Sequence, residues 1–231
     1  SNIQIFATPA GIGQYTLRPN WLAPPFDNPK VRQALWYAFN QEDFLMATIG
    51  DAEYIKVCKS YYPCGSPFST EAGMDGLLTS NMKKAQELLK EAGYDGTPIV
   101  LMHSTDLKIL TNLAPVAKSL MEKAGGWHAF LTAWVAADVL NPIGTAYMNA
   151  ACDKALFGWP CDAEMEKLRD QFARESDPAK QKEIAAAAQM RDTQVTTHIP
   201  LGEYIAPAAI RKNVTGLLPS PATVFWNVEK K

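Results

Sequence analysis

The sequence predicts an α/β fold on three observations. Segments with apolar residues at helical spacing alternate with short apolar runs of strand character. The order strand–helix–strand over residues 97–134 predicts a parallel pair joined by a right-handed crossover. Hydrophobic residues make up 47% and charged residues 20% of the 231-residue chain, a balance that can bury a core and excludes disorder. That length suits one large domain or two small ones.

Taken in order, the chain opens extended, rich in Pro, Gly and aromatics, with Ile3–Phe6 strand-like. Asp27 or Asn28 caps a first helix, and Pro29 suits its first turn because the missing N–H has no helical partner there. Val31, Ala34, Leu35 and Ala38 recur at helical spacing. Asn40 starts a second short helix with Phe44 and Leu45 as its apolar face. Residues 50–79 read as a long loop, a length that is usually functional or stapled. Ser80 is expected to cap a helix to about Ala92, with Ala85, Leu88 and Leu89 inward and Gly93 as its stop.

Thr97–His103 is a near-continuous apolar run and predicts a buried strand. Asp106 opens a helix to Ala124, and residues 128–134 form another strand. Residues 135–161 read as loop, with a helical turn near Thr145–Ala150. Asp162 and Asp177-Pro178 open two further helices. The end of the chain is strand-like over Ile199–Ile205, Ala208–Arg211, Val214–Leu217 and Thr223–Val228.

Charge and hydropathy exclude several classes of function. With 22 basic and 24 acidic residues the formal net charge is −2, so no basic excess is available for a phosphate backbone and no nucleic acid is expected. No run of 18 or more apolar residues exists to span a membrane. Ser1-Asn2-Ile3 has neither an initiator Met nor a signal region, and the chain reads as a processed or trimmed piece.

The four cysteines fall in two close pairs, Cys58 with Cys64 and Cys152 with Cys161, each around turn formers. Four cysteines allow three pairings. The favoured one closes each local loop and would stabilise by about 2–3 kcal/mol per bridge. Disulfides would place the protein in the periplasm or outside the cell. Zinc fits less well, because neither pair has the usual ligand spacing and no His is near in sequence. A redox dithiol more often has two intervening residues. Four reduced, buried thiols remain an open alternative.

Catalytic motifs are missing. Gly11-Ile12-Gly13 lacks a third glycine and a following helix, so it is read as loop rather than as a phosphate cradle. No Gly-x-Ser-x-Gly elbow occurs. His103, His128 and His198 are scattered, each near the end of a predicted strand. In open α/β sheets ligands bind beyond the carboxyl ends of the strands, which singles out two segments. His103-Ser104-Thr105-Asp106 offers hydroxyls and free N–H groups to a polar ligand; the plainer role is capping the helix that follows. Trp134-Val135-Ala136-Ala137-Asp138 sets an aromatic ring beside an acid, a pair that can stack on a ligand and hold an amino group. The plainer role is Trp134 in the core and Asp138 in solvent.

The segment Pro25-Phe26-Asp27-Asn28-Pro29-Lys30-Val31-Arg32-Gln33-Ala34-Leu35, with Ala38-Phe39-Asn40-Gln41-Glu42 after it, resembles the first-helix signature of the extracellular solute-binding proteins of family 5. These are the peptide/nickel class serving ABC importers. Ala85–Tyr94 and Tyr204–Gly216 are similar to two further motifs of that family, in the same order. The resemblance implies the C-terminal lobe of a type II periplasmic-binding-protein fold, a mixed central sheet flanked by helices, as one unit over residues 1–231.

By comparison with the family, a strand with an Asp-Trp pair and a basic loop are missing near 125–126. The resemblance also implies a periplasmic monomer that closes on a peptide or similar small solute and docks on an ABC permease in the inner membrane. It implies no enzyme activity, cofactor or metal. The ligand-facing residues it implies are Trp134, Ala136, Asp138, His103, Thr105 and Asp106. A nickel chelate or haem as ligand is the alternative within the family, and a thiol- or metal-dependent oxidoreductase the alternative outside it.

Overall fold

A strand that the sequence reading passed over, β2 (Ile12–Pro19), lies at the centre of the main sheet. The computed structural model describes residues 2–7, 11–105, 107–121, 128–218, 220 and 224–231. Along the chain run β1 (Ile3–Phe6), β2, α1 (Pro29–Ala38), α2 (Gln41–Thr48), β3 (Ile55–Lys56), α3 (Met82–Glu91) and β4 (Val100–Met102). Then come α4 (Lys108–Thr111), α5 (Leu113–Met121), β5 (His128–Val135), α6 (Ala163–Arg174), α7 (Pro178–Val195), β6 (Ile199–Ile205), β7 (Ala208–Arg211), β8 (Val214–Thr215) and β9 (Glu229–Lys230).

The main sheet has the order β3-β6-β2-β5-β4. β2 pairs antiparallel with both β5 and β6, β3 pairs antiparallel with β6, and β4 is parallel to β5. The sheet is therefore mixed, and the predicted parallel pair is present.

Capping chemistry sets the helix starts. Asn28 accepts from Lys30 N, Asn40 from Asp43 N, Asp162 from Met165 N, and Asp177 from Ala179 N, each satisfying an N–H that the helix leaves unpaired. Asn81, not Ser80, caps α3, through Lys84 N.

Other expectations need correction. β4 spans only Val100–Met102 and is an edge strand, with Val100 70% and Met102 63% exposed. The helix expected from Asp106 to Ala124 is broken into α4 and α5, while Asp106 and residues 122–127 lie outside the described residues. Residues 224–228 are not strand; β9 begins at Glu229.

Both faces of β2 are buried, which is why its composition misled. Tyr15 and Leu17 join the apolar core with Leu131, Ala129, Phe44, Leu45 and Leu113. Gln14, Thr16 and Arg18, on the alternate positions, are at most 1% exposed and form a polar interior. Arg18 donates to four backbone carbonyls: Tyr147, Thr197, Phe157 and Leu156. Its guanidinium lies 4.6 Å from the centre of the Tyr147 ring. Arg32 on α1 donates to the carbonyls of Val195, Phe26 and Asp27 and lies 3.7 Å from the Trp21 ring centre. Burial lowers both guanidiniums to about 10, so both remain cations at neutral pH. Apart from Phe26 and Asp27, close to Arg32 in sequence, these carbonyls belong to distant parts of the chain, and a planar fork of donors suits joining them.

Candidate functional site

The candidate residues follow the carboxyl ends of two neighbouring strands, β4 and β5. β4 and β5 are parallel, so their carboxyl ends point the same way. Gly13 at the start of β2 lies opposite Val135 and Tyr204, which brings the end of β6 to the same edge. There the Tyr15 and Tyr204 rings stack at 4.4 Å. A Cβ on Gly13 would meet the Tyr204 ring, which would have to shift from its stack on Tyr15. Gly11-Ile12-Gly13 is thus the entry into the central strand, not a free loop.

The two predicted segments do not come out at one height. β4 ends at Met102 opposite Phe130, and Trp134 lies four residues further along β5, about 13 Å away at the usual strand rise. His103 is exposed, and its Nε2 lies 2.8 Å from the Thr111 carbonyl at the end of α4, a local tie. Thr105 is exposed; Asp106 is outside the described residues.

Trp134 is half-buried, with its ring edge-on to Tyr147 at 4.9 Å. β5 runs directly into a 3-10 turn, Ala136–Val139. Val139 is buried and anchors this turn, Ala136 is half-buried, and Asp138 is exposed. Asn141 Oδ1 accepts from Ile143 N and Gly144 N and shapes the loop behind it. Val135, Leu140 and Ile143, exposed at 40% or more, surround Asp138 in sequence with apolar surface. An anionic group on an apolar rim can take a cationic amine with an apolar body.

A second cluster, which the sequence reading missed, lies beneath the sheet. Asp192 on α7 is fully buried and accepts from Thr197 N and Oγ1, both at 2.5 Å. Burial pushes its carboxyl up to about 7, against the opposing pull of Thr197 and the Arg18 cation. His198 packs between Tyr61 and Tyr147 at 4.7 and 5.8 Å, and burial holds its imidazole well below the ordinary value, so it is neutral. Glu203 is buried and accepts from Cys64 N; burial raises it. The available signal was the alternation Gln14-x-Thr16-x-Arg18, polar residues at period two within a segment read only as extended. These groups bind one another and the backbone, so they hold the scaffold together.

The cysteines form Cys58–Cys64 and Cys152–Cys161, as favoured from their spacing, and no free cysteine occurs among the described residues. Cys58, Cys64 and Glu203 cluster closely. Sulfurs joined to each other offer no thiolate to a metal or a redox partner. The three histidines are not brought together: His103 is exposed after β4, His128 starts β5, and His198 is buried under the sheet.

A mixed sheet flanked by helices, with its open edge at the strand ends, defines a type II periplasmic-binding-protein fold. AppA of Clostridium difficile has this arrangement: it superimposes on all of this chain and 53% of its own, with a TM-score of 0.82 at 20% identity. Residues 1–156 match the bacterial extracellular solute-binding proteins, family 5 (middle part). The chain belongs to that family.

Among curated relatives, a protein of Sinorhizobium fredii named probable peptide ABC transporter periplasmic-binding protein y4tO is 28% identical over 242 residues. That match covers 93% of this chain and 46% of the relative. The glutathione-binding protein GsiB of Escherichia coli is 28% identical over 257 residues, 97% of this chain and 48% of its own length. The chain spans about half the length of the curated relatives it matches. The match to GsiB runs over more positions than this chain has residues, so that relative has extra residues within the matched region. No helix among the described residues is long and apolar enough to cross a membrane.

Proposed function

We propose that this chain is the C-terminal lobe of a monomeric periplasmic solute-binding protein. The whole protein would capture peptides or similar small polar solutes and deliver them to an ABC permease. One observation supports the lobe reading most directly. The segments before β2 and after β6 leave the sheet side by side at the candidate edge, held by Ala206 N donating to Gly11 O at 2.8 Å. They pair again as β1 with β7, outside the main sheet, with Ile3 51% and Ile5 59% exposed. Two chain passages next to each other at this edge suit hinge closure between lobes. The names of y4tO and GsiB support a peptide-class solute.

No covalent step and no cofactor enter this reading. Solute binding to both lobes favours the closed state, and closure is the signal the permease reads. Asp138 supplies a counter-charge to an amino group, the Ala136–Val139 turn presents it, and Trp134 walls the site. His103 and Thr105 would form its outer margin, and Asp106, expected beside them, lies outside the described residues. The test is calorimetry with a peptide pool on the full-length protein. Asp138→Asn should weaken binding about 10-fold or more, the scale of one charged hydrogen bond. If Asp138→Asn and Trp134→Ala both bind like wild type, this site assignment fails.

A further inference from the structure

Four buried polar atoms on one face of the main sheet have no hydrogen-bond partner in the protein: Trp134 Nε1, Gln14 Oε1, Thr16 Oγ1 and Thr145 Oγ1. The strand register puts the first three on neighbouring positions of that face. Gln14 is directly opposite Trp134 across the β2–β5 ladder, and Thr16 is the next residue on the same face, opposite Thr132. Thr145 is on the turn leading to Tyr147, whose ring meets Trp134.

Their chemistry is complementary. An indole N–H only donates. Gln14 Nε2 donates to Ser60 O at 3.0 Å, which orients the amide and leaves Oε1 as the acceptor. A hydroxyl serves either role. Each such atom left unpaired costs about 1–3 kcal/mol, and four together approach the whole stability of a domain, on the order of 5–15 kcal/mol. A donor and several acceptors around one spot are the partners that a buried water takes, about three on average.

We propose that ordered internal water sits between β2, β5 and the 141–149 loop, accepting from Trp134 Nε1 and donating to Gln14 Oε1 and Thr16 Oγ1. Gln14 and Thr16 are then positioning residues. They fix the indole, and through it the Ala136–Val139 turn that presents Asp138. Besides walling the site, Trp134 then holds this turn in register. The consequence for binding rests on the proposed function; the water itself does not.

The experiment is two-dimensional nitrogen–proton NMR of the chain. Its six tryptophans give six indole signals, and Trp134→Phe assigns one. That signal is expected to show a cross-peak to long-lived water. Thr16→Val should shift it and abolish the cross-peak, and Thr16→Ser should restore both. A cross-peak unchanged by Thr16→Val, or missing in wild type, overturns the proposal. If Thr16→Val does not fold, a high-resolution crystal structure of wild type decides: a water about 2.7–3.2 Å from Nε1 supports it, and apolar contact alone refutes it. In the full-length protein, Thr16→Val should weaken binding of a tryptic peptide pool several-fold and Thr16→Ser should not. A water cross-peak with no peptide binding would sink the proposed function and leave this inference standing.

Discussion

Replacing Arg18 by Met tests the polar interior most directly. The substitution keeps much of the side chain's volume and removes the fork that joins the carbonyls of Tyr147, Leu156, Phe157 and Thr197. Removing a buried charge can be neutral when its partners are replaced as well. Here the partners are backbone carbonyls, which no substitution removes. Leu156 O and Phe157 O are only partly buried and can regain water, while Tyr147 O and Thr197 O are fully buried. Two stranded buried acceptors cost about 1–3 kcal/mol each. The charge that opposes Asp192 is lost as well, so the total is about 4 kcal/mol.

Urea unfolding followed by circular dichroism reads this. At a slope of about 2 kcal/mol per molar, the midpoint should fall by about 2 M with the slope unchanged. Arg18→Lys should fall by about half as much, because one ammonium cannot reach carbonyls arranged for a fork. An Arg18→Met midpoint within about 0.5 M of wild type, at equal slope, would refute the claim that these four bonds hold β2 to its covering loops.

Three further outcomes follow from the same packing. Burial raises the Asp192 carboxyl to about 7, above its unfolded value. Its contribution is therefore fully present below about pH 4 and lost as pH rises through about 7, so wild type should lose stability relative to Asp192→Asn across that window, by a few kcal/mol; a constant difference from pH 4 to 7.5 would count against a buried acid there. Replacing either cysteine pair by alanine should cost about 2–3 kcal/mol, and more at Cys58–Cys64, whose loop places the buried rings of Tyr61 and Tyr62; thermal melts that match wild type for both would show that the staples are dispensable. Gly11→Ala should destabilise by about 1–3 kcal/mol, because the new Cβ meets the Ala206 carbonyl at the crossover; an unchanged melting temperature would mean that the crossover has slack.

Features set by near neighbours were legible in the sequence. Asn28, Asn40, Asp162 and Asp177 cap helices through N–H groups two or three residues away, so composition and spacing suffice to find them. The cysteine pairs, 6 and 9 residues apart, close where turn formers bring them together. Family motifs such as Pro25–Leu35 and Ala85–Tyr94 pointed to the fold because several of them keep their order along one chain.

The tertiary structure decided what depends on distant partners. β2 became the central strand through pairing with β5 and β6, more than a hundred residues away, and nothing local marks it apart from a polar alternation that also suits an exposed loop. Gln14 and Arg18 are buried because the Ser60–Tyr62 loop, Thr197 just beyond α7 and the Tyr147 turn supply hydrogen-bond partners for them, and Thr16 lies between the two on the same face of β2. The run at Thr97–His103 looked like a buried strand but lies at an edge, since burial depends on what pairs beyond it. Asp138 was readable as an acid near a strand end. Its exposure, and the fixing of its turn by a buried Val139, came only from the packed sheet. Burial and long-range pairing are properties of the whole chain at once, so residue spacing alone cannot assign them.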